Sequence, residues 1–304
     1  MPYADNQGVG IHYLVEGAGP PLVLQHGFMQ SLEDWFETGY VDALKDDHRV
    51  ILVDARGHGR SDKPHDVAGY RLGYRVSDVV AVLNDLDIEK ADYWGYSMGG
   101  WIGFGAAEYA PERFNRLVIG GGTPFALSLQ IWRDLIGSAI ARGHAAFINS
   151  FEEMIGAIFP SWRARLESAD LEAYLASVDE DRASHEAVLA KIAVPTFLYA
   201  GDADPRFAES KIAAGSIRDA TLFSLPGLNH LERFVRSDLV LPSPSFYVVS
   251  EPARPSVIPR ATRVADLSRP RSRAAMPTSW PAPILPSAGH VWAQHPNSGQ
   301  WSAA

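Results

Sequence analysis

Ser97 lies in the stretch "YWGYSMGGWIG", residues 93–103, two positions after Gly95 and two before Gly99. A serine hydroxyl is a weak nucleophile until a neighbouring base takes its proton. Histidine, oriented by a carboxylate, is the usual base. Both residue types occur downstream: "YAGDADP" carries Asp202 and Asp204, and "LPGLNHLERF" carries His230. The G-x-S-x-G spacing suits a sharp strand-to-helix turn, where the backbone is strained toward positive φ and neighbours must lack bulk. A helix that starts at such a serine turns its first N–H groups and positive dipole end toward any anion formed beside it.

The elements that would position these residues are visible as apolar runs. They fall at 9–17, 20–27, 49–59, 91–97, 114–122, 194–204 and 220–230. Most are continuous, not alternating, which predicts strands covered on both faces. Between them, 74–88 has helical spacing, and 98–110 is small and apolar all round, ending before Pro111. Strands alternating with helices predict an α/β fold: a mostly parallel central sheet flanked by helices, with right-handed crossovers. Ser97, the Asp202/Asp204 pair and His230 then all follow the carboxyl ends of strands, where open parallel sheets hold their chemistry.

Residues 124–191 break the alternation with helical patterns alone, such as "LQIWRDLIGSAIAR" and "HAAFINSFEEMIGAIF". The organisation expected is a core domain of 1–123 and 192–240, a helical cap insertion at 124–191, and an atypical Pro-rich C-terminal extension at 241–304. Aromatic residues of the insertion, among them Trp132, Phe147, Phe151 and Phe159, are candidates for a substrate pocket. The alternative is that they, with Phe125 and Trp162, pack the insertion together. From Arg236 onward there are 11 of the 21 prolines, no lysine, and seven arginines against three acids. Proline this dense predicts irregular structure and no long helix. The shift in composition at about Ser243 reads as an extension unrelated to the core.

Composition narrows the function classes. The chain has 304 residues, 46% hydrophobic and 21% charged, ordinary values for a globular protein. It has no cysteine, which excludes disulfides, thiolate catalysis and Cys-ligated metal. A net charge of −9 disfavours nucleic acid or an anionic membrane as a partner. No targeting or membrane-spanning segment is evident, so a cytoplasmic location is the expectation. Neither metal ligands nor a phosphate loop are spaced as a site, "GGG" at 120–122 lacks dinucleotide spacing, and no cofactor is expected. The oligomeric state is not legible.

Taken together, five stretches resemble the α/β-hydrolase fold family in order and spacing. "HGF" (26–28) resembles its oxyanion loop and "DARGHGRSD" (54–62) its Gly-rich loop. "GYSMGG" (95–100) resembles its nucleophile elbow, "GDADP" (201–205) its acid turn and "GLNHLE" (227–232) its histidine loop. The resemblance covers about residues 8–239. It implies Ser97 as nucleophile, His230 as general base and then acid, and Asp204 as the carboxylate three positions after Gly201. It also implies the backbone N–H groups of Phe28 and Met98 as the oxyanion hole. His26, Asp54, Arg56 and His58 are expected to brace their loops, and Trp101 to lie in the core. His12, His48, His65, His144 and His185 are expected to be solvated or capping.

Serine at the elbow, where epoxide hydrolases and dehalogenases of this fold carry aspartate, implies acyl transfer through a serine ester. The leading expectation is a carboxylic ester hydrolase acting on a small molecule. The alternatives are an N-acyl-homoserine lactone or other lactone hydrolase, a C–C bond hydrolase or haloperoxidase-like perhydrolase, and a ligand-sensing receptor on the same fold.

Overall fold

The computed structural model describes residues 2–156, 158–241, 292–294 and 301–303. Eight strands form one sheet: β1 (Tyr3–Asn6), β2 (Val9–Glu16), β3 (Pro21–Gln25), β4 (Arg49–Val53), β5 (Ala91–Tyr96), β6 (Phe114–Gly120), β7 (Thr196–Gly201) and β8 (Ala220–Leu225). Their order is β1-β2-β4-β3-β5-β6-β7-β8. β1 pairs antiparallel with β2, and β2 with β4; every other pair is parallel. The chain described around this sheet lies in a unit spanning Met1–Ala253.

The continuous apolar runs have the expected cause. Along β4, Ile51 and Val53 join a core layer with Val76, Val79 and Ile102, while Val50 and Leu52 join a second layer with Trp35, Tyr40 and Phe234. Successive side chains of a strand point to opposite faces, so covering both faces demands apolar residues at every position. The first layer is covered by the longest helices of the core. These belong to a series α1 (Glu33–Glu37), α2 (Tyr40–Leu44), α3 (Leu72–Asp85) and α4 (Met98–Tyr109). The second layer is mainly aromatic, with Trp35 edge-on to both Tyr40 and Trp94.

Between β6 and β7 run α5 (Gln130–Arg142), α6 (His144–Ile155), α7 (Pro160–Glu167) and α8 (Leu171–Val178). Two backbone hydrogen bonds join Leu127 to Arg182, and the His185 N–H bonds the Pro124 carbonyl, so the entry and exit of the insertion are tied together. Its interior is a third apolar cluster, which includes Phe147, Phe151, Trp162 and Leu166 and takes in Met29 of the core. The chain continues through α9 (Phe207–Ser216), α10 (Glu232–Val235) and α11 (Ser237–Val240).

Several elements departed from the sequence reading, and α1, α2 and α9 were not read at all. β1 is four residues in a polar segment, and only two of its side chains are buried. α7 begins at Pro160 and has charged residues on much of its surface. The segment 186–191 forms a 3₁₀ helix rather than an α-helix. A second unit, Arg254–Ala304, is described only at Trp292–Gln294 and Trp301–Ala303, which pair antiparallel. The expected irregular course of 241–304 otherwise lies outside the described residues.

Candidate active site

Ser97 occupies the turn between β5 and α4 with φ 54° and ψ −109°, a conformation that costs a non-glycine residue on the order of 1–3 kcal/mol. The two flanking glycines have a steric reason. A Cβ on Gly95 would lie 2.1 Å from the Gly99 carbonyl oxygen, and one on Gly99 would lie 2.1 Å from the Gln25 carbonyl oxygen. The elbow is therefore compressed against the end of β3. The tyrosine hydroxyl of Tyr93 donates to the Gly99 carbonyl at 2.7 Å and fixes the turn from below.

The structure brings Ser97, His230 and Asp204 together across 133 and 26 residues of sequence. His230 Nε2 is 2.9 Å from Ser97 Oγ, and His230 Nδ1 is 2.8 Å from Asp204 Oδ2. Asp204 is buried, while the His230 side chain keeps 44% of its surface exposed and is accessible. The second Asp204 oxygen accepts the Arg206 N–H at 2.8 Å. Asp202 faces elsewhere: its Oδ1 accepts the Gly227 N–H at 2.7 Å and holds the loop that carries His230. That loop is also closed by a reciprocal pair. Asn229 Oδ1 accepts the N–H groups of Leu231 and Glu232, and Glu232 Oε2 accepts the Asn229 N–H. The Tyr96 hydroxyl donates to the His230 carbonyl.

The loop after β3 meets Ser97 from the other side, so close that a methyl on Gly27 would lie 3.2 Å from Ser97 Cβ. Met98 is the first residue of α4, and a first-turn N–H has no acceptor within its own helix. An anion beside Ser97 Oγ thus faces the α4 N-terminus and the Phe28 loop. His26 clamps that loop. Its Nδ1–H donates to the Gly27 carbonyl at 2.7 Å, and its Nε2 accepts the Ala55 N–H at 3.0 Å. Those two bonds fix the neutral tautomer, and burial lowers the pKa of the ring in the same sense.

Asp54 is the hub of the Gly-rich loop. It accepts N–H groups from Leu32 and Arg60 and the ring of His12 at 2.7 Å. Burial alone would raise its pKa, but the His12 hydrogen bond, His26 and the two N–H groups outweigh it and hold the carboxyl below its usual range. His12 therefore corrects its sequence reading: it is fully buried, because β2 packs its inward face on this loop. Arg56 forms a two-pronged bond to Asp78 at 2.6 and 2.7 Å. His58 is buried among Phe28, Tyr174 and His26, and its pKa falls well below the ordinary value, by burial first and by His26 second.

The aromatic residues proposed for a pocket divide. Phe147 and Phe151 are stacked on each other inside the insertion, and Phe159 is 41% exposed. Trp132 meets Phe28 edge-on with ring centres 5.7 Å apart. The sequence reading missed the side-chain bonds that join the insertion to the Phe28 loop and to α1. Trp162 donates its indole N–H to the Met29 carbonyl at 2.7 Å, and Arg165 bonds Asp34 at 2.7 Å and Glu37 at 2.9 Å. The one available signal was the W-R-A-R spacing in 162–165, legible only once 160–167 is known to be a helix. Among the described residues no group of side chains is placed to hold a metal ion, and no helix is long and apolar enough to cross a membrane.

An eight-stranded, mostly parallel sheet with a strained serine at the β5–α4 turn, facing a histidine and an acid from later loops, defines an α/β-hydrolase architecture. A family model described as the alpha/beta hydrolase fold matches residues 20–173, half of the chain, and the chain belongs to that family. It is similar to 3-oxoadipate enol-lactonase 2 of Acinetobacter baylyi, at 29% identity over 66% of this chain and 78% of that protein. It is also similar to cis-3-alkyl-4-alkyloxetan-2-one decarboxylase of Shewanella oneidensis, at 36% identity over 48% of each chain. The chain thus spans about half the length of that curated relative. Among solved structures, an enol-lactonase from Burkholderia xenovorans LB400 superposes with a TM-score of 0.70 and 25% identity, covering 82% of this chain and 98% of that one.

Proposed function

We propose that the protein is a serine hydrolase of carboxylic esters, working through Ser97, His230 and Asp204. The observation that carries this reading is the hydrogen-bonded chain Ser97 Oγ–His230 Nε2 at 2.9 Å and His230 Nδ1–Asp204 Oδ2 at 2.8 Å. As Ser97 Oγ attacks the ester carbonyl, its proton passes to His230 Nε2. Asp204 stabilises the imidazolium through Nδ1. The negative charge that moves to the carbonyl oxygen is met by the N–H groups of Met98 and Phe28, each donor worth on the order of 10²–10³ in rate. Collapse breaks the ester C–O bond, and His230 returns the proton to the leaving alcohol. Water, deprotonated by His230, then attacks the serine ester; the acyl C–Oγ bond breaks, His230 returns the proton to Ser97 Oγ, and the acid is released.

A lactone is the second reading, supported by the likeness to two enol-lactonases. The chemistry is the same, except that the alcohol stays tethered to the acid. The helical insertion, packed over the Phe28 loop through Trp132 and Trp162, would serve as the cap of the site. The test is turnover of a p-nitrophenyl ester series beside a lactone series, with Ser97→Ala as the reference. Fast turnover of one series, lost in the variant, is expected. Equal rates in a folded Ser97→Ala protein would overturn the assignment.

A further inference from the structure

A cavity of about 190 Å³ lies between α8, the chain leading into α3, and the residues that close the insertion. None of Ser97, Asp204 and His230 lines it. Its walls include Tyr70, Leu72, Trp101, Leu129, Ser177 and Arg182. The Arg182 guanidinium lies over the Trp101 ring, 4.4 Å from its centre. Its backbone is fixed by the paired hydrogen bonds to Leu127. Among the described residues, the guanidinium has neither a hydrogen-bond acceptor nor an ion pair. The Trp101 indole N–H, buried beneath it, also has no acceptor.

The charges that act on Arg182 from within the protein, Arg75 and Arg206, are both cationic. Arg75 lies behind the cavity wall, 5.8 Å from the same Trp101 ring, and is itself buried. Its donors go to the Tyr70 carbonyl, to Ser177 and to the Met98 sulfur, all of them uncharged. The carboxylate nearest to it in sequence, Asp78, is occupied by Arg56. Burial first, and the Arg75 and Arg206 charges next, bring the Arg182 pKa down to about 9. Two acids also line the cavity: Asp181 bonds Arg133 and the Leu129 N–H, and exposed Glu180 lies 4.0 Å from Arg71. A guanidinium presents five N–H donors in a fixed fork that matches a carboxylate. Arg182 is half-buried and its nitrogens keep contact with solvent, so the fork is open to an incoming carboxylate.

We propose that this cavity is a second binding site, separate from the Ser97 centre, for a small carboxylate with an apolar or aromatic body. The carboxylate pairs with the Arg182 guanidinium, and the apolar body lies against Tyr70, Leu72 and Leu129. The volume suits that class, since a cavity of roughly 150 Å³ accommodates benzene. Arg75 connects the site to the elbow, because the same side chain bonds Ser177 of α8 and the sulfur of Met98. Occupancy would draw Arg182 off Trp101 and alter the load on Arg75, next to the residue proposed to bind the oxyanion.

The experiment is calorimetric titration of the full chain with benzoate, and with neutral benzamide of the same shape. Both are run on Ser97→Ala so that turnover plays no part, and again on wild type with Ser97 blocked by a phosphonate. Saturable benzoate binding is expected in both, with benzamide much weaker. Arg182→Gln should weaken benzoate roughly ten- to a hundredfold, the loss of a charge-assisted bond. The comparison of benzoate with benzamide needs no cavity variant, so it stands even if Arg182→Gln folds poorly. Absence of saturable binding overturns the proposal. So does binding that ignores the ligand's charge, or binding that disappears when Ser97 is blocked, which would place benzoate at the hydrolytic centre. Because the titration of Ser97→Ala needs neither turnover nor a reactive serine, its failure is distinct from failure of the ester reading.

Discussion

The indole N–H of Trp162, in the helical insertion, donates to the carbonyl of Met29, in the loop that follows β3, at 2.7 Å. Met29 itself has φ 62°, a left-handed conformation uncommon for a residue with a side chain. The loop carrying the Phe28 N–H is therefore held partly by a residue more than a hundred positions away. Insertion and loop form one packed cluster.

Trp162→Phe removes the hydrogen bond together with one of the two fused rings packed in the cluster. The loss of one buried bond is expected to cost about 1–3 kcal/mol of stability, because the Met29 carbonyl is left without that partner. If the bond also positions the Phe28 N–H, kcat falls severalfold at unchanged KM. Chemical denaturation and steady-state ester kinetics separate the two effects. A variant that loses stability with unchanged kcat would confine Trp162 to a structural role.

Asp204 and Asp202 are two residues apart in the same turn and face different partners, His230 and the Gly227 N–H. Asp204→Asn should leave the fold intact and lower kcat on the order of 10⁴, the known consequence of losing the carboxylate behind a catalytic histidine. Asp202→Asn should loosen the His230 loop and cost far less activity. Equal losses in the two variants would contradict the assignment of Asp204.

Burial raises the Asp34 pKa to about 6, against the opposing pull of the Arg165 charge. A carboxyl whose folded pKa exceeds its unfolded value binds its proton more tightly when folded. Its contribution to stability therefore grows as the pH falls from about 6 toward 4, and above 6 the cost of burying the charge is fully present. A rise from 3.8 to about 6 corresponds to about 3 kcal/mol. Asp34→Asn should remove this slope, so that the difference in Tm between wild type and variant changes with pH inside that window and is constant above it. Parallel Tm profiles from pH 4 to 8 would contradict the shift.

Much of the fold was legible because the sheet is buried on both faces, which forces long apolar runs such as "VILV" at 50–53. The elbow was legible because steric compression at Gly95 and Gly99 restricts those positions. The Asp202/Asp204 pair and His230 stood out because each follows such a run, and the choice of Asp204 came from the family resemblance. What was not legible depends on partners brought together only by folding. β1 is held by a single neighbour, and Asn6 is buried because its amide reaches Ser77 and Asp78 of α3. His12 reads as a surface residue until Asp54 is placed against it. The link from α7 to the Phe28 loop is invisible for the same reason: Trp162 and Arg165 sit in a segment whose charge hides its buried face.

The central claim is that Ser97 is a nucleophile activated by His230. The most direct measurement is covalent labelling with a fluorophosphonate, located by mass spectrometry of the digested protein. One adduct per chain on Ser97 is expected, absent in Ser97→Ala and slowed by orders of magnitude in His230→Ala. No adduct on a folded wild-type chain, or an adduct on another residue, would contradict the claim.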